Sequence, residues 1–293
     1  MKTLTTLTGA LLLVALIPAA KATPWYTQDP RTLPQGGWRV EAHVLYSEVD
    51  NSLVDGDKGP LPGGVTDASA LVLHKRFRYG LRDDLTVFVD VPYVSKRVHF
   101  ADGAVRDNSG LGDLNLLAKY KYSEDKKAGE RKAVALFYKT HTGDYRGLSG
   151  LLATGTGQDN LGLLHLWEWD RADTNWYANL GYVWTGERKD NHKNGGDLVL
   201  FNLATEHSLG KTSPWRLVGE LNGQYEGNGK QAGAPVAGSG PTVISVTPGV
   251  QYAEKRGKTA TTWEAGIQVP VVKRGDLPAL QDYQLYLGTY TVF

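Results

Sequence analysis

The 293-residue chain has no cysteine and one methionine. Without thiols it can build neither a disulfide framework nor a thiolate nucleophile, although an exported protein would have been free to use disulfides. An excess of charge is also missing, since 32 Lys and Arg stand against 31 Asp and Glu. The basic surface that a nucleic-acid partner requires is therefore absent. Beyond its first residues the chain lacks any apolar run near the roughly 20 residues of a membrane-spanning helix.

What is present begins with an export signal. Met1 to Ala22 carries an early Lys2, an apolar run from Leu7 to Ile17 and the small-x-small site Ala20-Lys21-Ala22 before Thr23, the layout of a cleaved secretory peptide. Residues 23–36, with Pro24, Pro30 and Pro34, read as a periplasmic tail or as a segment folded into a lumen. From Gly37 to Phe293 the period is two. About twelve segments of roughly ten to fourteen residues alternate apolar and polar positions, each bounded by Gly, Asp, Asn, Lys or Pro. Trp38, Val40, Ala42, Val44 and Tyr46 share one face, against Arg39, Glu41, His43 and Ser47. Leu71, Leu73, Phe77 and Tyr79 oppose His74, Arg76 and Arg78, with Lys75 breaking the apolar face. Leu85, Val87, Val89, Val91 and Tyr93 oppose Thr86, Asp90 and Lys96, and Leu114 to Tyr122 alternates with Lys119 and Lys121. The same pattern recurs to the end of the chain.

These features predict an all-β, transmembrane, antiparallel up-and-down barrel of about twelve strands over 37–293. Aromatic pairs such as Trp38 with Tyr46, Trp176 with Trp184 and Trp215 with Tyr225 are spaced to meet both interfaces of an apolar band about 25 Å tall. Connections alternate long and short, the long ones falling at about 48–67, 101–110, 142–158, 189–195, 227–240 and 274–280. An even strand number places both termini in the periplasm, where Phe293, closing the last strand, resembles the assembly signal of Gram-negative outer-membrane barrels. Outer-membrane lipid and the barrel-assembly machinery are the partners that this location implies.

Several short stretches follow one another in order: Val91-Pro92-Tyr93; Gly110-Leu111-Gly112-Asp113-Leu114 leading to Ala118-Lys119-Tyr120; Lys139-Thr140-His141-Thr142-Gly143-Asp144; and Thr154-Gly155-Thr156-Gly157. In these the chain resembles an outer-membrane family named for the MetA pathway of phenol degradation. His141 departs from the Pro expected there. The resemblance implies a barrel of this size and passage of small, often aromatic or hydrophobic, solutes. The glycines also suit strand ends that need positive φ or close packing, and Asp113 and Asp144 can accept nearby backbone N–H groups.

Enzymatic chemistry finds little support. An outer-membrane phospholipase needs a His and a Ser two apart on one strand face, and none of the seven His residues has Ser two positions later. His207 and Ser208 are neighbours and face opposite ways. No compact His and carboxylate spacing suggests a metal, and no cofactor is expected. A lipid-modifying enzyme and a structural or adhesive barrel remain the alternatives to a channel. Inward positions carry Arg39, Arg76, Arg78, Lys119, Lys121, Lys139 and Arg216 against Glu41, Asp90, Asp113, Glu168, Asp170, Glu206, Glu220 and Glu264. Such near balance fits either a salt-bridged, stiffened lumen or a narrow polar path. Along the path, Arg39, Glu41, His74, Arg76, Arg78, Asp90, Lys119, Lys121, Arg216, Glu220 and Glu264 are the expected lining. Arg76, Arg78, Lys119 and Lys121 should form one basic wall opposite Glu220 and Glu264.

Overall fold

Alternation along the chain becomes a closed antiparallel wall because each strand has one face for lipid and one for the lumen, and closure leaves no unpaired edge in hydrocarbon. The computed structural model describes residues 25–54, 57–145, 152–188, 193–210, 212–231, 233–236, 240–256 and 259–293. Met1 to Ala22 lies outside them, as do parts of the connections at 142–158, 189–195 and 227–240. The wall consists of β1 (Trp38–Val54), β3 (Val65–Arg82), β4 (Leu85–Phe100), β6 (Asn115–Asp125), β7 (Glu130–Lys139), β8 (Asn160–Arg171), β9 (Thr174–Thr185), β11 (Leu198–Ser208), β12 (Trp215–Glu226), β15 (Thr242–Arg256), β16 (Thr259–Arg274) and β17 (Leu277–Val292). Short strands β2 (Asp57–Pro60), β5 (Val105–Leu111), β10 (Lys193–Asn194), β13 (Lys230–Gln231) and β14 (Ala234–Pro235) stand outside this circuit.

Each wall strand pairs with its sequence neighbour, and β17 returns to β1. Reciprocal backbone hydrogen bonds between Trp38 and Phe293, at 2.9 and 3.0 Å, close the seam. Leu71, Leu73, Phe77, Leu116, Leu136, Leu163, Leu180, Leu203, Leu217 and Leu287 are exposed on the outer face, a continuous apolar belt of a kind that water-soluble surfaces do not carry. Trp38, Tyr93, Tyr120, Trp176, Trp184 and Trp215 join them.

Three connections expected to be loops differ. β1, β3 and β4 run 17, 18 and 16 residues, against the roughly 9–11 that cross a membrane. β2 folds back on β1, β5 folds back on β4, and β16 turns directly into β17 after Arg274. Strand pairing thus continues past the lipid, where the outward positions change from Leu and Val to Glu48, Asp50, Ser95 and Arg97. A polar outer face in this part of the sequence marks strand in water rather than loop.

The lumen is not polar all round. Phe88, Leu117, Ala133, Ala135, Phe137, Leu164, Leu166, Val183, Leu198 and Leu200 form a buried cluster on the inner face of β4 through β11. The ring of Phe137 covers Gly162, where a Cβ would come within 2.0 Å of it.

Candidate functional site

The segment before β1 enters the lumen. Pro30 and Pro34 disfavour helix in the residues before them, and the extended chain lies where strand carboxylates can take its N–H groups. Glu220 accepts from the backbone of Trp25 (2.6 Å), Tyr26 (3.0 Å) and Thr27 (2.8 Å) and from the Thr27 hydroxyl (2.9 Å). Trp25 Nε1 donates to Glu264 (3.0 Å), and the Tyr26 hydroxyl donates to Gln284 (2.5 Å). Gln28 and Asn179 exchange two hydrogen bonds, Lys119 Nζ donates to the Asp29 carbonyl (2.9 Å) and carboxylate (3.1 Å), and Arg31 pairs with Glu168. Leu33 N donates to Thr86 Oγ1 at 2.8 Å. Trp25 to Asp29 are all buried, so this segment divides the lumen.

The charged candidates are arranged differently from the expected opposed walls. Glu41 is shared by Arg39 (2.8 Å), Arg78 (2.5 Å) and Arg76 (3.7 Å). Asp90 lies 3.3 Å from Arg76 and 3.0 Å from His74 Nδ1. Lys119 is taken by Asp29, while Glu220 and Glu264 are occupied by the inner segment, with Gln251 Nε2 (3.1 Å) and the Tyr286 hydroxyl (2.8 Å) also donating to Glu264. Burial explains the difference, because an enclosed ion is tolerated only beside a counter-ion or a full set of donors. Lys121 and Arg216 lie apart, near the strand ends joined by short turns. Lys121 pairs with Glu124 (2.6 Å) and Arg216 with Glu206 (2.5 Å). In the hairpin beyond the apolar band, hydrogen bonds from Lys121 and Arg131 hold the Glu124 carboxyl down to about 2.

On the outer side of the segment, three of the sequence motifs meet at Asp113. Its carboxylate accepts from Gly143 N (3.0 Å), Thr156 N (2.8 Å), Thr156 Oγ1 (2.7 Å) and Lys139 Nζ (3.3 Å). The Asp144 carbonyl accepts from Thr154 N (2.8 Å) and Gly155 N (3.0 Å). Gly143 and Gly155 pack so closely that a Cβ on either would come within 2.6 Å of the other's Cα. Leu152, Ala153, Thr154, Thr156 and Gln158 are consequently buried at the outer mouth. Asp159, beside them, pairs with His141 at 2.7 Å.

Between this roof and a floor that includes Tyr26 lies a cavity of about 40 Å³, lined by Leu45, Val72, Pro92, Val94, His74 and Lys96, among others. Sequence reasoning put Lys96 on the polar face of its strand but did not single it out. Its signal is a lysine opposite a Val-rich face near the outer end of β4. Among the described residues, no group of three or more His, Cys, Asp or Glu is placed to hold a metal ion.

A family profile described as "Putative MetA-pathway of phenol degradation" matches residues 24–273. Among solved structures, the COG4313 outer membrane channel from Pseudomonas putida F1 aligns over 93% of this chain and 100% of its own, at 17% identity and TM-score 0.74. The β domain of the Bordetella autotransporter BrkA aligns over 87% of this chain and 99% of its own, at 10% identity and TM-score 0.50. The toluene transporter TodX of Pseudomonas putida aligns over 90% and 92%, at 9% identity and TM-score 0.44, a likeness that carries no further argument. No curated protein matches the chain. The first two structural likenesses establish the fold of an outer-membrane barrel.

Proposed function

The chain belongs to the phenol-degradation MetA family, and from that premise we propose that it is an outer-membrane channel for passive uptake of small aromatic or hydrophobic compounds. The observation that supports this reading most is the two-sided lumen. A water-filled pore is polar inside, whereas here Leu117, Phe137, Leu164, Leu166, Val183 and Leu200 face inward opposite an ion-paired wall. An apolar solute gains contact on the first side without having to strip water from the second. Arg39, Glu41, His74, Arg76, Arg78, Asp90, Lys119, Glu220 and Glu264 form the polar side of the path, and Lys121 and Arg216 its periplasmic exit. Catalysis is not part of this reading, nor is a cofactor.

Uptake by whole cells tests it, because the lipopolysaccharide leaflet retards direct diffusion of such solutes. Cells carrying the chain should take up labelled toluene or phenol faster at early times than cells without it. Equal initial rates would overturn the channel reading and favour a barrel that acts through its outer loops.

A further inference from the structure

We propose that the cavity between the inner segment and the outer roof is a binding site for the oxyanion head of a small aromatic acid, with Lys96 as its anchor. This rests on the channel reading and narrows it to one class of solute. Lys96 is 6% exposed and lines the cavity. It makes no hydrogen bond or ion pair among the described residues. The other buried Lys and Arg side chains on the described wall strands are neutralised: Arg39 and Arg78 by Glu41, Arg76 by Asp90, Lys119 by Asp29, and Lys139 by Asp113.

Asp113 lines the same cavity as Lys96. That carboxylate is already occupied by Lys139, Gly143 N and Thr156, so it has little capacity left for a second cation. An ammonium group without a counter-ion in an enclosed site carries a large desolvation cost. A ligand that supplies the missing negative charge removes that cost, which makes the site selective for a monoanion over a neutral analogue.

The surroundings fix the rest of the ligand. Leu45, Val72, Pro92 and Val94 present apolar surface beside Lys96, Tyr26 and His74 add rings, and the ion-paired Asp113 and Lys139 line the polar end with Asn115, Thr154 and Gln284. A cavity of about 40 Å³ holds two or three waters by the usual measure of about one probe volume each. A carboxylate or phenolate head replaces those waters, and the attached ring extends along the apolar lining as the 152–158 roof or the 25–29 segment gives way. A long-chain lipid or a dianion has no matching feature.

Calorimetric titration of the folded, detergent-solubilised full chain with sodium benzoate, and separately with benzamide as the neutral isostere, tests the inference. Benzoate should bind the wild type at least about tenfold more tightly than benzamide, the ratio that one charge-assisted contact provides. Lys96→Met should abolish that preference, and Lys96→Arg should retain it. Heat-modifiable gel migration checks that each variant is folded. Should Lys96→Met fail to fold, the wild-type ratio and Lys96→Arg still decide. Benzoate binding no tighter than benzamide, or a preference that survives in Lys96→Met, would overturn the proposal. Toluene uptake without benzoate preference sinks the anion site and leaves the channel standing, whereas benzoate preference without toluene uptake does the reverse.

Discussion

The indole of Trp25 occupies the space that a side chain on Gly249 would need: a Cβ there would come within 1.5 Å of the ring, and one on Gly266 within 2.1 Å. Trp25 also stacks on Tyr286, with ring centroids 5.0 Å apart. Two strands have therefore given up side chains at the level where the inner segment is anchored. Gly249→Val should expel the ring, at an overpacking cost of about 1–3 kcal/mol, while the wall still closes. Single-channel recordings should then show several-fold higher ion conductance than the wild type. Unchanged conductance in a folded variant would mean that the segment does not limit the lumen.

Asp113 holds together residues from three separate stretches of the chain. Asp113→Ala removes four hydrogen bonds and leaves Lys139, itself buried, without its acid. Stranding one member of a buried pair costs about 3–5 kcal/mol. The expected result is a folded barrel with a lower heat-modification temperature and rapid protease cleavage near 152–158. Wild-type resistance to protease would count against Asp113 as the clasp.

Much of the wall was legible in the sequence because period two is a local signal. Trp38 to Tyr46 and Trp215 to Tyr225 announce face and interface within a single strand. The charge partners were not legible, because they depend on which strands meet. Arg76 finds Asp90 through the antiparallel β3–β4 register, and Glu220 finds Trp25 to Thr27 from 193 or more residues away. The inner segment itself carries no period, so its site could be narrowed only to tail or lumen. Leu164, Leu166, Leu198 and Leu200 were hidden for another reason: runs such as Leu163-Leu164 place leucine on both faces, and alternation then no longer separates lipid from lumen.

Lys75 points into the lipid-facing belt between Leu73 and Phe77, with Ala42 and Val91 as its partners across the sheet. None of these neighbours carries charge. A lysine on the lipid face costs about 2–4 kcal/mol near the bilayer midplane. Lys75→Met should therefore raise folding stability by up to that amount, read as a higher urea midpoint for the barrel in phospholipid vesicles. A midpoint unchanged or lowered would show that the ammonium group already reaches the interface or is matched by a partner in the membrane.

Phe293 contributes both halves of a backbone exchange with Trp38, and its ring remains 54% exposed on the outer face. Deleting it removes two hydrogen bonds at the seam where the last strand meets the first. It also removes the terminal aromatic that resembles the assembly signal. The remaining β1–β17 register, from Arg39 paired with Val292 to Leu53 paired with Leu277, can still close the finished barrel, so the loss should fall on the rate of assembly more than on final stability. Export, which we assign to the amino-terminal segment, should not change. Pulse-chase labelling followed by heat-modifiable electrophoresis should show the truncated protein reaching the periplasm at the normal rate and the folded outer-membrane form slowly. Normal assembly kinetics at native expression would show that closure of the seam, and its recognition, do not need Phe293.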